Sequence, residues 1–97
     1  MRRGDLWRYR GVARERLVLV VSDDALNERD EPIVVDVTAT GPQGPTALLT
    51  VRLGEDRFAR CRRVTFAEAG RFTELVGRTP PDVMDDVSAA LRVALSL

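Results

Sequence analysis

Histidine and lysine are absent from this chain of 97 residues, and cysteine occurs once, as Cys61. Without histidine there is neither a serine–histidine–aspartate triad nor a histidine acid/base pair. One cysteine and no histidine exclude an ordinary zinc site, and a lone cysteine excludes an internal disulfide. Cys61 reads as a small core or strand residue suited to a reducing cytoplasm. The acids Asp23, Asp24, Asp30 and Glu31 lack the spacing of a calcium loop, and no glycine-rich phosphate loop opens a helix. No metal or other cofactor is therefore expected. No apolar run approaches the roughly 18 residues of a membrane span. The opening Met-Arg-Arg-Gly-Asp leads into no hydrophobic signal core, so export is not expected.

What is present is an ordinary globular balance, 44% hydrophobic and 31% charged residues. The length predicts a single domain over residues 1–97. A domain of this size buries only about 60–65% of its chain surface, so association with a second copy would help it. The net charge is zero, yet the charges are segregated, and all fifteen basic residues are arginine. Residues 1–16 carry six arginines against Asp5 and Glu15, a net of +4. Residues 57–63 carry Arg57, Arg60, Arg62 and Arg63 with no acid, again +4. Between them Asp23 to Asp36 is acidic, with only Arg29 opposing. Two basic segments that meet in space can bind a polyanion at zero net charge; otherwise they are solvated strand faces.

Periodicity gives the elements. Leu6 to Arg10 alternates as a strand, and Gly11 to Glu15 is a turn. Leu17 to Val21 is a continuous apolar run, a strand buried on both sides. Asp24 to Pro32 is polar and loop-like, with room for one helical turn. Ile33 to Thr38 is a third strand, Thr40 to Pro45 a loop, and Thr46 to Leu53 a fourth strand. Gly54 to Asp56 turns into a fifth strand, Phe58 to Phe66, and Arg71 to Val76 is a sixth, ending at Gly77. A closing helix follows, with Thr79 as N-cap and Pro80 in the first position. Its early acids Asp82, Asp85 and Asp86 and its late Arg92 complement the helix dipole. Val83, Val87, Ala90, Leu91, Ala94 and Leu95 form its apolar stripe. The expected fold is mainly β with a C-terminal α-helix, a small β-barrel capped by that helix. Its chemical inventory is arginines, carboxylates and hydroxyls, groups that position a phosphodiester and stabilise charge on it.

Four stretches in order carry a resemblance. "RRGDLW" (Arg2 to Trp7) resembles the opening of the MazF/PemK toxins, and "RLVLVVSDDALN" (Arg16 to Asn27) resembles their second strand and its exit. "VVDVTAT" (Val34 to Thr40) resembles their third strand, and Leu75 to Leu97 their closing helix. The resemblance implies an SH3-like barrel of the CcdB/MazF type, a homodimer, and a metal-independent endoribonuclease. It also implies cleavage of single-stranded RNA at short motifs and neutralisation by a MazE-like antitoxin with an acidic, disordered tail. By the same resemblance Arg16 and Thr38 match the family's catalytic arginine and threonine. Attack by the ribose 2′-hydroxyl would leave a 2′,3′-cyclic phosphate and a 5′-hydroxyl. Arg16 would grip the scissile phosphate and Thr38 donate a hydrogen bond to it.

Three positions depart from the family pattern. Leu17 and Asp36 stand where it has prolines, and Arg60 to Phe66, "RCRRVTF", replaces a stretch that helps line its RNA groove. Asp36 and Thr38 are two apart on one strand and share a face, which makes Asp36 an accessory candidate beside Arg16. Arg8, Arg10, Arg14, Arg60, Arg62 and Arg63 are the candidate phosphate contacts. Trp7 is either a base-stacking platform or the largest piece of a small core. Two other readings stay open: a CcdB-like gyrase poison, whose closing Trp-Gly-Ile is Ala-Leu-Ser-Leu here, and a family member that binds RNA or antitoxin without cutting.

Overall fold

The Leu17 and Ile33 runs lie side by side at the centre of one antiparallel sheet. The computed structural model describes residues 1–41 and 44–97. Its strands are β1 (Asp5–Arg10), β2 (Glu15–Val20), β3 (Ile33–Thr38), β4 (Thr50–Gly54), β5 (Arg57–Phe66) and β6 (Phe72–Arg78). The helices are α1 (Asp24–Asn27) and α2 (Pro81–Leu95). The sheet order is β4-β5-β3-β2-β1-β6, with β4 and β6 at its edges, so the predicted barrel is a curled half-barrel.

Alternation along the strands sorts the side chains onto two faces. Leu6, Leu19, Val35, Val37, Ala59 and Cys61 pack under Met84, Val87 and Ala90 of α2. The opposite face carries a smaller cluster, Tyr9, Val18, Val20 and Val34, closed by Trp7 and Phe72. Val18, Leu19, Val20, Val34 and Val35 are wholly sealed from solvent, as expected for a strand run apolar at every position. Trp7 is a core residue, edge-on to Phe72 at 5.7 Å between ring centroids. Cys61 is buried, and burial pushes its thiol up to about 11, so it stays neutral and unreactive in the native fold.

The acids of "SDDALN" are structural. Asp23 caps α1 by accepting from the Ala25 amide at 2.9 Å. Asp24 accepts from the Arg3 amide at 2.8 Å and from Asn27 Nδ2 at 3.0 Å. These donors, the Arg3 amide first, hold its carboxyl below the usual value. Its contribution to stability is therefore present above the ordinary carboxylate range and lost as pH falls through the lowered folded value.

Several boundaries differ from the sequence reading. Thr46 to Leu53 is not one strand: Gly44–Leu49 is a 3-10 turn, and β4 begins only at Thr50. Pro45 suits the first turn of that coil, since its ring locks a helix-compatible φ. The Thr40 to Pro45 loop lies partly outside the described residues. The N-cap of α2 is Pro80, with Pro81 in the first turn, one residue later than expected. Thr79 is buried instead, and among the described residues its hydroxyl has no partner. The buried stripe of α2 is centred on Met84, Val87 and Ala90, while Leu95 is exposed. Most consequential for the site, β2 begins at Glu15, so Arg16 lies within the strand, opposite Tyr9.

Gly4 joins the sheet to α2. Its amide donates to the Val20 carbonyl and its carbonyl accepts from the Thr79 amide, both at 2.8 Å. Its φ is +94°, and a Cβ there would lie 3.3 Å from the Thr79 carbonyl and 3.5 Å from Met84 Cγ. Only glycine meets both demands without strain. Gly4→Ala should therefore destabilise the fold by about 1 kcal/mol or more. Urea unfolding that leaves the midpoint unchanged would show that this junction carries no strain.

Candidate nucleic-acid interface

On β2, Leu17 and Leu19 face the α2 side, so Arg16 projects from the opposite face. Tyr9 lies across from it, and the Arg16 guanidinium sits 5.6 Å from the Tyr9 ring centroid. Tyr9 is itself fixed: its hydroxyl accepts from the Glu68 amide at 2.9 Å, and its ring meets Phe72 edge-on at 5.2 Å. On β3, Asp36 and Thr38 project to this same face. Arg16 Nη1 lies 3.3 Å from Asp36 Oδ1, with the side chains 41% and 20% exposed. A guanidinium is thus held between an aromatic face and a carboxylate, with part of its fork still open to solvent.

β5 brings the second basic segment to this pair. Val35 is opposite Val64, but the next residue, Asp36, is opposite Arg60. Cys61, Arg62 and Arg63 have no counterparts on β3 and form a bulge. Cys61 points into the core while the two arginines reach the surface. Arg16 and Asp36 form the floor between two adjoining clefts of about 440 Å³ each. Arg62, Arg63, Val64 and Thr65 wall one of them. The other is walled by the β1–β2 turn from Gly11 to Arg14 together with Val37, Arg60 and Arg63. Gly11 is needed for this turn, since a Cβ on it would lie 2.8 Å from the Arg14 carbonyl.

The expected residues are therefore partly assembled. Arg14, Arg16, Asp36, Arg60, Arg62 and Arg63 line the joined clefts. Thr38 shares the strand face but lies beyond the cleft walls, and its hydroxyl accepts from the Thr40 amide at 3.2 Å. Arg8 and Arg10 alternate onto the other face of β1. There Arg8 Nε pairs with Glu74 at 2.9 Å, and Arg71 donates to the Arg10 carbonyl at 3.1 Å. The structure does not bring these two arginines to Arg16. Sequence reasoning missed Tyr9 and Gly11; the short hairpin connection between Tyr9 and Arg14 was the available signal for both.

Partly exposed ion pairs contribute only about 0–1 kcal/mol, so the Arg16–Asp36 pair does not hold the sheet together. The cluster instead concentrates positive charge with hydrogen-bond donors in a concave site, an arrangement that attracts phosphodiesters. Arg16→Ala should shift folding stability by less than about 1 kcal/mol. A loss of several kcal/mol in thermal or urea unfolding would make Arg16 a structural residue.

Comparisons with known proteins bear on the family and the fold. The sequence pattern of the PemK-like, MazF-like toxins of type II toxin-antitoxin systems matches residues 3–95. Comparison with curated proteins finds no match. Among solved structures, an endoribonuclease in complex with its cognate antitoxin, from a mycobacterial species, superposes with a TM-score of 0.89 at 20% identity, over 100% of this chain and 96% of that one. A MazE-MazF complex from Deinococcus radiodurans gives 0.82 at 21% identity, covering 100% and 96%. The Mycobacterium tuberculosis toxin MazF-mt6 gives 0.79 at 14% identity, covering 96% and 97%.

Proposed function

We infer the activity of this chain from its family: it belongs to the PemK-like, MazF-like toxins of type II toxin-antitoxin systems. The reading that fits the site is a toxin endoribonuclease that cuts single-stranded RNA in the cytoplasm and is silenced by its antitoxin. The observation that carries it is Arg16, held by Tyr9 and Asp36 on the floor of a cleft walled by Arg14, Arg60, Arg62 and Arg63. Of the structural relatives named above, the mycobacterial one is described as an endoribonuclease with its cognate antitoxin, and that from Deinococcus radiodurans as a MazE-MazF complex.

In this reading the wall arginines bind flanking phosphates and Arg16 grips the scissile one. Its guanidinium stabilises the charge that grows on the phosphate oxygens as the 2′-hydroxyl attacks. Thr38 can assist from the end of β3. Its oxygen accepts the Thr40 amide, which leaves its own hydrogen to donate toward a phosphate. The products are a 2′,3′-cyclic phosphate and a 5′-hydroxyl. A second copy completes a longer groove, and the exposed Val93, Leu95 and Leu97 at the end of α2 offer apolar surface for association. An acidic, disordered antitoxin tail would meet the same arginines as RNA does.

Arg16→Ala should lower RNA cleavage at least about 10²-fold, the scale for losing a charge-stabilising donor. Wild-type cleavage should survive excess chelator and leave 5′-hydroxyl ends, mapped after a short induction. A folded Arg16→Ala protein that cuts like wild type refutes the site. A wild type that binds RNA and antitoxin but cuts nothing makes the chain a binding protein.

Charge reversal at Arg62 and Arg63 should weaken RNA and antitoxin tail together, and RNA binding should fall more steeply with salt. If RNA binding alone falls, the antitoxin inhibits from another surface.

A further inference from the structure

We propose that the Asp36 carboxylate is the base that takes the proton from the attacking 2′-hydroxyl. This rests on the ribonuclease reading above and assigns the step that reading leaves without a residue. Attack by a ribose hydroxyl needs a proton acceptor beside the gripped phosphate. Histidine and lysine are absent from the chain. Arginine has no lone pair to offer, and the hydroxyls of Thr38 and Thr65 are far weaker acceptors than a carboxylate. Among the described residues that line the two clefts, Asp36 is the only acid.

Its placement suits the task. Asp36 and a phosphate would share one guanidinium, with Nη1 of Arg16 toward the carboxylate and its other N–H groups toward the phosphate. The 3.3 Å separation is longer than the roughly 2.7–2.9 Å of a tight charge-assisted hydrogen bond, so an entering hydroxyl can compete for the carboxylate. The side chain lines both clefts and is 20% exposed. The charged groups facing it are Arg16 from β2, Arg14 from the β1–β2 turn, and Arg60, Arg62 and Arg63 from β5. A negative charge in that ring opposes phosphate binding, so its benefit must come in the reaction itself.

The 2′-hydroxyl proton passes to an Asp36 oxygen as the O2′–P bond forms. The P–O5′ bond breaks, and the leaving O5′ takes a proton from solvent water. Asp36 then returns its proton to solvent, and the cyclic phosphate departs.

The test uses the full-length toxin, a short single-stranded RNA and the same RNA with sulfur replacing the bridging 5′-oxygen. That sulfur leaves without needing a proton. Asp36→Asn should lower kcat at least about 10²-fold on both substrates, with KM unchanged or lower. The acid limb of the wild-type pH–rate profile should flatten in the variant. Asp36→Ala should regain part of its cleavage when formate is added, an outcome that a misfolded variant cannot give. A deficit confined to KM would make Asp36 a positioning residue for Arg16 and overturn the proposal. A deficit that disappears with the sulfur substrate would place Asp36 at the leaving group and overturn it equally. Wild type that cuts neither RNA would remove the ribonuclease reading itself, whereas wild type that cuts while Asp36→Asn cuts equally well removes only this assignment.

Discussion

β2 and β3 are sealed from water on both faces at Val18, Leu19, Val20, Val34 and Val35, and the cleft hangs from the ends of these two strands. Burial on both sides fixes their register, because a slip of one residue would exchange the two faces and drive Arg16 and Asp36 into the core under α2. The same alternation sends Leu17 and Val37 inward and keeps the ion pair outside. The geometry of the cleft is thus a by-product of how the core closes. It needs no stabilising contribution from the pair itself.

That arrangement lets an electrically neutral chain present a strongly positive cleft. Asp23 and Asp24 are engaged elsewhere, in capping α1 and in tethering Arg3 near the start of β1. Asp36 is the exception, a single anion set among guanidinium groups. Tyr9 and Phe72 add stiffness from the second apolar cluster, so the site is supported from below by aromatic packing and from the side by charge.

Much of this was legible in the chain itself. The apolar runs at Leu17 to Val21 and along β3 announce strands by their shortness and β-branched content, the closing helix announces itself by its period, and the order of motifs from Arg2 to Leu97 identifies the family. The pairing of Asp36 with Arg16 follows from two strand ends that meet. What could not be read depends on contacts between distant segments. Whether Arg8 or Arg16 faces the cleft is decided by which face α2 covers, not by local pattern. The Thr46 to Leu53 stretch alternates like a strand, yet its first half coils beside α2. Thr79 looks like a helix cap, but Pro80 and Pro81 move the first turn one residue on.

The bulge in β5 separates two duties that a regular strand would tie together. Cys61 stays anchored in the core while Arg62 and Arg63 loop outward, and pairing with β3 resumes at Val64 as though nothing had intervened. Residues in such an excursion can be exchanged, lengthened or recharged without disturbing any ladder partner. The rim of the cleft is in this sense a replaceable part on a fixed chassis: its charge and reach can change while the core beneath it and the ladder beside it stay as they are.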